Sequence, residues 1–250
     1  MLSKIIGYWG GYFDSNITLD QIPNYFDYVI LAFSGPTNHS TLTTEFLCSK
    51  YSEQQIIKWI KLLQSKNIKV LMSIIDSPTV HWDEINIPNF ANSVKEIVIN
   101  KWGCDGIDID AESGMANNYV SNFILLATEF RRILGDKILT YTCYTGTQGP
   151  DGAILNHIHE LIDWIQIMAY FDNYNDIIAL YNDYHTIVNN IAIGVKAGKE
   201  CTILSEVEKL CKWNQNKKGI MLWTINRDTE SFTGFPKFTW ANTIQKYINN

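Results

Sequence analysis

Short apolar runs rich in β-branched residues recur along the whole chain, and longer amphipathic stretches separate them. Repeated strand–helix units of this kind build a parallel sheet, because each helix covers the sheet as the chain returns to start the next strand. We interpret eight runs as strands: Lys4–Tyr8, Tyr28–Phe33, Lys69–Ile74, Gly106–Asp110, Ile138–Tyr144, Trp164–Tyr170, Asn190–Val195 and Gly219–Ile225. Eight such units in 250 residues predict an α/β fold, a single (β/α)₈ TIM barrel over residues 1–250.

Helical periodicity fills the gaps between these strands. The clearest example runs from Ser52 to Ser65, where one face carries Ile56, Ile57, Ile60 and Leu63. No linker rich in proline, glycine or serine interrupts the pattern, so the sequence indicates no second domain.

The composition excludes several classes of protein. The chain has 20 Lys and Arg residues against 26 Asp and Glu residues, a formal net charge of −6 that excludes a generically basic nucleic-acid binder. Hydrophobic residues make up 46% of the chain, too many for a disordered protein. No apolar run reaches the ~18 residues of a membrane span. The five cysteines are widely spaced and form no CxxC pair, which excludes a dense disulfide framework and a cysteine zinc site.

The N-terminal segment has no features of a signal peptide. Met1–Trp9 lacks both the long apolar segment and the small-residue cleavage site. The protein is therefore leaderless, or this chain begins after a removed leader.

Three acidic side chains share one face of the fourth predicted strand. Because side chains alternate along a strand, one face carries Ile107, Ile109 and Ala111, and the other carries Asp108, Asp110 and Glu112. If the apolar set packs beneath the helices, the acids point into the barrel and its mouth. A buried carboxylate must be protonated, paired or hydrogen-bonded. The pattern therefore indicates a catalytic site.

Two other interpretations of these acids are a metal site and an edge strand with its acids in solvent. A metal site needs further ligands at neighbouring strand ends. The histidines all fall in predicted loops or helices, at His39, His81, His157, His159 and His185. An edge strand would not lie among seven other strands of the buried type. We therefore favour catalysis, with no metal and no cofactor.

The fourth strand also carries a family signature. Asp105, Asp108, Asp110 and Glu112 match the DxxDxDxE motif of glycoside hydrolase family 18, so the chain resembles the chitinases and endo-β-N-acetylglucosaminidases of that family. Two later segments, Gln166–Tyr170 and Gly219–Asn226, are similar to the sixth and closing strands of the family. The resemblance extends from Ile5 to Trp223.

The resemblance implies roles for two of the acids and for Tyr170. Glu112 is the general acid, Asp110 holds the N–H of the substrate's 2-acetamido group, and Tyr170 contacts the acetamido carbonyl. The acetamido oxygen is then the nucleophile, which explains why no second carboxylate nucleophile is visible. Asp108 and Asp110 are like charges at short range, so the cluster is expected to retain at least one proton near neutral pH.

A wider set of residues is predicted to contact the substrate: Trp223, Tyr8, Phe33, Gln166, Met168, Tyr144 and Asp172. An aromatic plane stacks on the apolar face of a sugar, and the resemblance places Trp223 on the floor of the site. Barrel packing is an equal alternative for Phe33. Trp9, Trp82 and Tyr174 could extend the cleft from loops that follow strands.

Asp105 and Gly106 are expected to be structural. The Asp105 side chain points to the opposite face of the strand from the three acids, so we expect it to stabilise a loop.

The chain departs from the family pattern in two places. Ile75 and Asp76 stand where the family usually has two glycines, which affects the loop geometry beside the site. Phe171 directly follows Tyr170 where the family has an acidic or amide residue, which affects hydrogen bonds to the substrate.

Many members of the family insert a small α+β domain between the seventh and eighth strands. Here the stretch between Val195 and Gly219 has room for one helix only, so we expect no insertion and an open groove. An open groove resembles that of the endo-acting members.

The resemblance implies an endo-acting chitinase that hydrolyses β-1,4 bonds between N-acetylglucosamine units with retention. One alternative is an endo-β-N-acetylglucosaminidase that cuts the chitobiose core of N-glycans, and another is a non-catalytic glycan-binding barrel, which the presence of Glu112 disfavours. The expected partner is chitin or an N-acetylglucosamine oligosaccharide, not a nucleic acid or a membrane. We expect a monomer that acts on extracellular polysaccharide.

Overall fold

All eight predicted strand segments form strands in the computed structural model, and they close into a barrel. The structure describes residues 2–14, 17–75, 82–112, 119–170, 173–198, 202–213 and 216–249. Its strands are β1 Lys4–Gly10, β2 Tyr28–Pro36, β3 Leu42–Thr43, β4 Lys69–Ile75, β5 Gly106–Asp110, β6 Ile138–Cys143, β7 Trp164–Ile167, β8 Ile191–Lys196 and β9 Gly219–Trp223. Eight of them pair in parallel around the barrel, and β1 closes it by pairing with both β2 and β9. Only the short β3 is antiparallel, to the end of β2.

Helices surround the barrel and connect its strands. They are α1 Glu53–Ser65, α2 Ile87–Val94, α3 Val120–Leu134, α4 Pro150–Ile158, α5 Tyr174–Tyr184, α6 Leu204–Lys212, α7 Glu230–Thr233 and α8 Thr239–Tyr247. A π-helical segment, Lys95–Lys101, continues α2. The arrangement is the predicted (β/α)₈ TIM barrel. In the part of the chain that the structure describes, α6 is the single helix between β8 and β9, and no inserted domain lies there.

Helix α1 forms where the periodicity predicts it. Ser52 caps its first turn, because the Ser52 hydroxyl accepts a hydrogen bond from the backbone N–H of Gln55 at 3.2 Å. Ile56, Ile60 and Leu63 are fully buried against the barrel, as the spacing of one helical face requires.

The structure differs from the sequence prediction at the first connection and at two strand ends. Between β1 and β2 the described residues form only a 3₁₀ turn, Leu19–Gln21, in place of a full helix. Strand β7 ends at Ile167, three residues before the predicted Tyr170, because the backbone N–H of Ala169 turns back to bond the Ile167 carbonyl at 3.0 Å. Strand β9 ends at Trp223, since Thr224 begins a 3₁₀ turn.

Two apolar layers hold the barrel together. The larger lies between the strands and the helices, and the smaller fills the barrel interior around Ile6, Ile30, Leu71 and Met221. The interior layer leaves polar side chains above it, towards the carboxyl ends of the strands. No helix among the described residues is both long enough and apolar enough to cross a membrane.

Asp105 lies at the opposite end of the barrel from these polar side chains. It immediately precedes β5, where its carboxylate pairs with Lys69 at 2.8 Å and accepts hydrogen bonds from the Val70 backbone and the Gln64 side chain, both at 3.0 Å. These contacts tie the start of β4 and the end of α1 to β5.

Replacing Gly106 by alanine is expected to lower the free energy of unfolding by about 3 kcal/mol. A Cβ atom at this position would lie 2.1 Å from the backbone oxygen of Ile138, and two paired strands cannot move apart cheaply. Urea unfolding measures the loss. The control is Gly103→Ala, where a Cβ meets nothing within 4 Å but the positive φ of 72° costs about 1 kcal/mol. Equal losses in the two variants would contradict the expected backbone clash.

Candidate active site

Asp108, Asp110 and Glu112 follow one another along β5 towards the mouth of the barrel. Asp108 is fully buried, Asp110 is 2% exposed, and Glu112 lies exposed just beyond the end of the strand. The three positions are two residues apart, so the extended backbone directs all three carboxylates to the same face. The outermost acid can reach a ligand at the mouth, and the innermost can act only through its neighbours.

Five side chains from four strands donate hydrogen bonds to the Asp108 carboxylate. The donors are Thr140 at 2.6 Å, Tyr8 and Ser73 at 2.7 Å, and Thr142 and Gln166 at 3.1 Å. Burial raises the pKa of the Asp108 carboxyl, and the hydrogen bonds from Thr140, Ser73 and Tyr8 offset part of that increase. Asp108 is thus a fully buried acid at the base of the acidic series, with its oxygens occupied by side-chain donors.

The mouth of the barrel holds a cavity of about 360 Å³ that we call the reaction pocket. Its lining residues are Tyr8, Asp110, Glu112, Tyr144, Met168, Tyr170, Lys196 and Trp223. Seven of these are residues that the sequence predicted for catalysis or substrate binding. Two other predicted residues, Asp108 and Gln166, are completely buried, and a hydrogen bond of 3.1 Å joins them.

Tyr170 reaches the reaction pocket although it lies three residues beyond the end of β7. The backbone oxygen of Tyr170 accepts a hydrogen bond from the Thr202 hydroxyl at 3.3 Å, which helps fix its position. Burial, followed by the charges of Asp110 and Glu112, raises the pKa of the Tyr170 hydroxyl well above its ordinary value. Tyr170 therefore keeps its proton and can donate a hydrogen bond to a ligand.

Trp223 is half-buried at the end of β9, with other aromatic rings around it. Its ring stacks on Phe33 with a centroid separation of 5.6 Å and an interplanar angle of 24°, and it meets the edges of Tyr8 and Phe13 at 5.3 and 6.2 Å. These contacts fix the indole plane and leave part of it in the reaction pocket. An indole held in this way can stack on a sugar ring.

Tyr144 forms the wall of the reaction pocket beside Glu112. Its hydroxyl donates a hydrogen bond to the backbone oxygen of Glu112 at 3.2 Å, although 45% of the residue is exposed. Below it, the buried Asp151 carboxylate accepts hydrogen bonds from the backbone N–H groups of Tyr144 at 2.9 Å and Thr145 at 2.8 Å. The loop after β6 is thus fixed from inside the protein.

Several predicted residues do not reach the reaction pocket. The prediction that Trp9 and Trp82 extend the cleft is wrong. Their side chains are 0% and 2% exposed and pack in the core between strands and helices. Tyr174 begins α5 and also packs against that core. The predicted substrate ligand Asp172, together with the departures at Phe171 and Asp76, lies outside the described residues.

Lys196 is a pocket residue that sequence reasoning missed. It ends β8, and its ammonium lies 5.9 Å from the centre of the Tyr170 ring. A strand end at the mouth of a barrel is a signal that could have identified it. Among the described residues, no group of three or more His, Cys, Asp or Glu side chains could hold a metal ion.

Comparisons with known proteins identify the family and the fold of the chain. Residues 11–193 match the model of the endo-β-N-acetylglucosaminidase EndoS TIM-barrel domain. The fold is similar to a glycoside hydrolase family 18 chitinase from Pseudoalteromonas aurantia, with a TM-score of 0.77, 22% identity, and coverage of 98% of this chain and 100% of that one. It is also similar to a family 18 chitinase from Chromobacterium violaceum, with a TM-score of 0.79, 18% identity, and coverage of 99% and 84%. A chitinase from Bacteroides thetaiotaomicron gives a TM-score of 0.78 at 14% identity, with coverage of 99% and 97%.

Proposed function

Because the chain belongs to the family of the EndoS TIM-barrel domain and has the fold of glycoside hydrolase family 18, we propose that it is an endo-acting chitinase. It cleaves β-1,4 bonds between N-acetylglucosamine units with retention of configuration. The observation that carries this proposal is the acidic series of Asp108 and Asp110 in β5 and Glu112 just beyond its end. The series runs from the barrel interior to an open pocket with an aromatic wall.

Glu112 is the proton donor in the proposed reaction. Hydrolysis of a glycosidic bond needs an acid for the leaving oxygen and a group that stabilises the positive charge at the anomeric carbon. Glu112 lines the reaction pocket at its open side, where a glycosidic oxygen can approach. As the C–O bond breaks, its electron pair goes to the leaving oxygen, which takes the proton from Glu112.

The substrate's own 2-acetamido oxygen is the nucleophile in this proposal. It bonds to the anomeric carbon as the leaving group departs and forms a cyclic oxazolinium ion. The Asp110 carboxylate accepts a hydrogen bond from the acetamido N–H and stabilises the positive charge, and the Tyr170 hydroxyl contacts the acetamido oxygen. Water then attacks the same carbon, and the Glu112 carboxylate takes a proton from it. Two inversions at one carbon give net retention.

The family match favours a second candidate function. An endo-β-N-acetylglucosaminidase would use the same acids to cut between the two N-acetylglucosamine residues of an N-glycan core, and the matching family model describes such an enzyme. The two activities differ in what the groove must accept beyond the cleaved bond. An N-glycan presents a branched mannose cap, whereas chitin continues as an unbranched chain.

A substrate panel tests the mechanism and the choice of substrate. The purified protein is expected to cut chitohexaose and to leave cellohexaose uncut, because cellohexaose has no acetamido nucleophile. A thiazoline analogue of the cyclic intermediate is expected to inhibit. Mass spectrometry of the products measures cleavage of each oligosaccharide, with and without the analogue. The Glu112→Gln variant serves as the blank.

Two outcomes of the panel would contradict the proposal. Cleavage of cellohexaose at a rate near that of chitohexaose would exclude substrate assistance. Release of the glycan from a high-mannose glycopeptide, with chitohexaose left intact, would replace the chitinase with the N-glycan activity.

A further inference from the structure

Asp151 is a fully buried acid that has no part in the proposed chemistry. It is the second residue of α4, it is 0% exposed, and it does not line the reaction pocket. Taking a carboxylate out of water costs free energy unless hydrogen bonds replace its hydration. The protein keeps this costly acid directly behind Tyr144, which forms one wall of the reaction pocket.

The donors that surround the Asp151 carboxylate come from the end of β6 and the loop that follows it. Its Oδ2 atom accepts hydrogen bonds from the backbone N–H of Tyr144 at 2.9 Å, and from the backbone N–H and the hydroxyl of Thr145, both at 2.8 Å. Its Oδ1 atom accepts one from the Tyr141 hydroxyl at 2.9 Å. One side chain thus joins β6 and the start of the loop to α4.

Helix α5 holds the next two residues of the same loop. The backbone N–H of Gly146 donates to the Tyr184 hydroxyl at 2.8 Å, and that of Thr147 donates to the Asp183 carboxylate at 2.9 Å. Together with the two N–H groups on Asp151, four consecutive backbone donors, residues 144–147, bond to side-chain oxygens of α4 and α5. A polar network satisfied in this way is rigid. The direction of the Tyr144 side chain is therefore set from inside the protein.

Tyr144 links this network to the proposed general acid. Its hydroxyl donates a hydrogen bond to the backbone oxygen of Glu112 at 3.2 Å. The last residue pair that joins β5 to β6 is Asp110 with Thr142, so this pairing does not extend to Glu112. The Tyr144 hydroxyl therefore holds the backbone of Glu112 at a point beyond the end of the strand.

The rate of proton transfer depends on where the carboxyl group of the acid lies. A displacement of about 1 Å can cost ~10²-fold in rate. We infer that Asp151 is a positioning residue for Glu112, because it fixes the loop from which Tyr144 holds the Glu112 backbone. The inference rests on the proposed function, since it takes the role of Glu112 from there. It adds a residue that acts on the reaction without touching the substrate.

Two substrates that differ in their leaving group test this role. A β-1,4 bond of chitohexaose releases a sugar hydroxyl, which needs a proton from Glu112. A 2,4-dinitrophenyl chitobioside releases a phenolate that is stable without one. The quantity to compare is kcat/KM, since it reports the step in which the glycosidic bond breaks and not the later attack of water.

Tyr144→Phe removes only the hydroxyl that bonds to Glu112, and Asp151→Asn keeps the shape of the side chain without its charge. Each variant is expected to lower kcat/KM on chitohexaose about three- to tenfold, as for the loss of one hydrogen bond. On the dinitrophenyl substrate both should stay within about twofold of the wild type. The losses should not multiply in the double variant, because both residues act through one path.

Asp27→Asn is the matched control. The Asp27 carboxylate also accepts a backbone N–H, that of Ile5 at 2.9 Å, but it lies at the opposite end of the barrel, where β1 and β2 begin. Its kcat/KM should be unchanged on both substrates. If Asp151→Asn does not fold, Thr145→Val takes its place, since it removes one donor to Asp151 and should show the same dependence on the leaving group.

Hydrogen exchange, measured by mass spectrometry, gives a readout that needs no catalysis. The peptide that contains Glu112 is expected to exchange faster in Tyr144→Phe and in Asp151→Asn than in the wild type or in Asp27→Asn. The reason is that each of the first two variants loosens the contact that holds the Glu112 backbone.

The possible results separate this inference from the proposed function. Equal losses on the two substrates would overturn the inference, since they would indicate a general disturbance of the reaction pocket. An unchanged kcat/KM on chitohexaose in Tyr144→Phe would overturn it as well. Absence of hydrolysis by the wild-type protein would instead overturn the proposed function. Faster exchange at Glu112 would then still support Asp151 as its positioning residue, and unchanged exchange would contradict it.

Discussion

Replacing Glu112 by glutamine is expected to lower kcat on chitohexaose by about 10²–10⁴-fold, the usual cost of losing a general acid. Glutamine keeps the size and polarity of the side chain but has no proton to give to the leaving oxygen. Glu112 lies exposed at the mouth, so the fold should tolerate the change. Binding of chitohexaose should remain measurable, because the loss falls on the chemical step.

The matched control for this variant is Glu160→Gln. Glu160 is also exposed, but it lies in the turn after α4, at the opposite end of the barrel from the reaction pocket. Steady-state kinetics with chitohexaose should show an unchanged kcat for the control. A Glu112→Gln variant that retained more than about a tenth of the wild-type kcat would exclude Glu112 as the acid.

Replacing Asp110 by asparagine is expected to lower kcat by about 10²–10³-fold with a smaller change in KM, as for the removal of one preorganised charge-stabilising group. The amide has the same shape and can still accept a hydrogen bond from the acetamido N–H. It lacks the negative charge that stabilises the oxazolinium ion, and that positive charge develops only after binding. The effect should therefore fall on turnover.

Asp136→Asn is the control, since Asp136 is exposed in the turn after α3. Thermal unfolding of both variants should be measured beside the kinetics, because Asp110 is buried and its replacement can also affect stability. A rise in KM at unchanged kcat would mean that Asp110 only binds the substrate. That result would mean that the Asp110 carboxylate does not stabilise the positive charge of the oxazolinium ion.

The barrel and its acidic strand could be predicted because both depend on local periodicity. Gly106–Asp110 is a strand with the predicted bounds, and the parity of its side chains places Asp108 inside the barrel and Glu112 at the mouth. The same parity argument identified Asp105 as a residue outside this series. Alternation along one strand needs no knowledge of the remaining chain.

The positions of Phe46 and Trp9 could not be predicted in the same way, because they depend on contacts between distant segments. Phe46 stacks on Tyr12 with ring centroids 4.1 Å apart, although the two residues lie in connections that follow different strands. Trp9 was misassigned because β1 extends to Gly10 and turns the indole towards the helices. The pattern of apolar residues in the sequence predicts neither position, because an aromatic residue fits that pattern equally well in the core and in a binding site.

The hydrogen bonds around Asp108 have a consequence for how relatives of this protein can diverge. One carboxylate cross-links strands β1, β4, β6 and β7 through Tyr8, Ser73, Thr140 and Gln166. Loss of Asp108 would leave these donors buried without their shared acceptor, which is costly to the fold. Glu112 is exposed at the mouth, where water can replace a lost partner. Evolution from an enzyme to a sugar-binding protein is therefore open at the mouth of the barrel and obstructed at its centre.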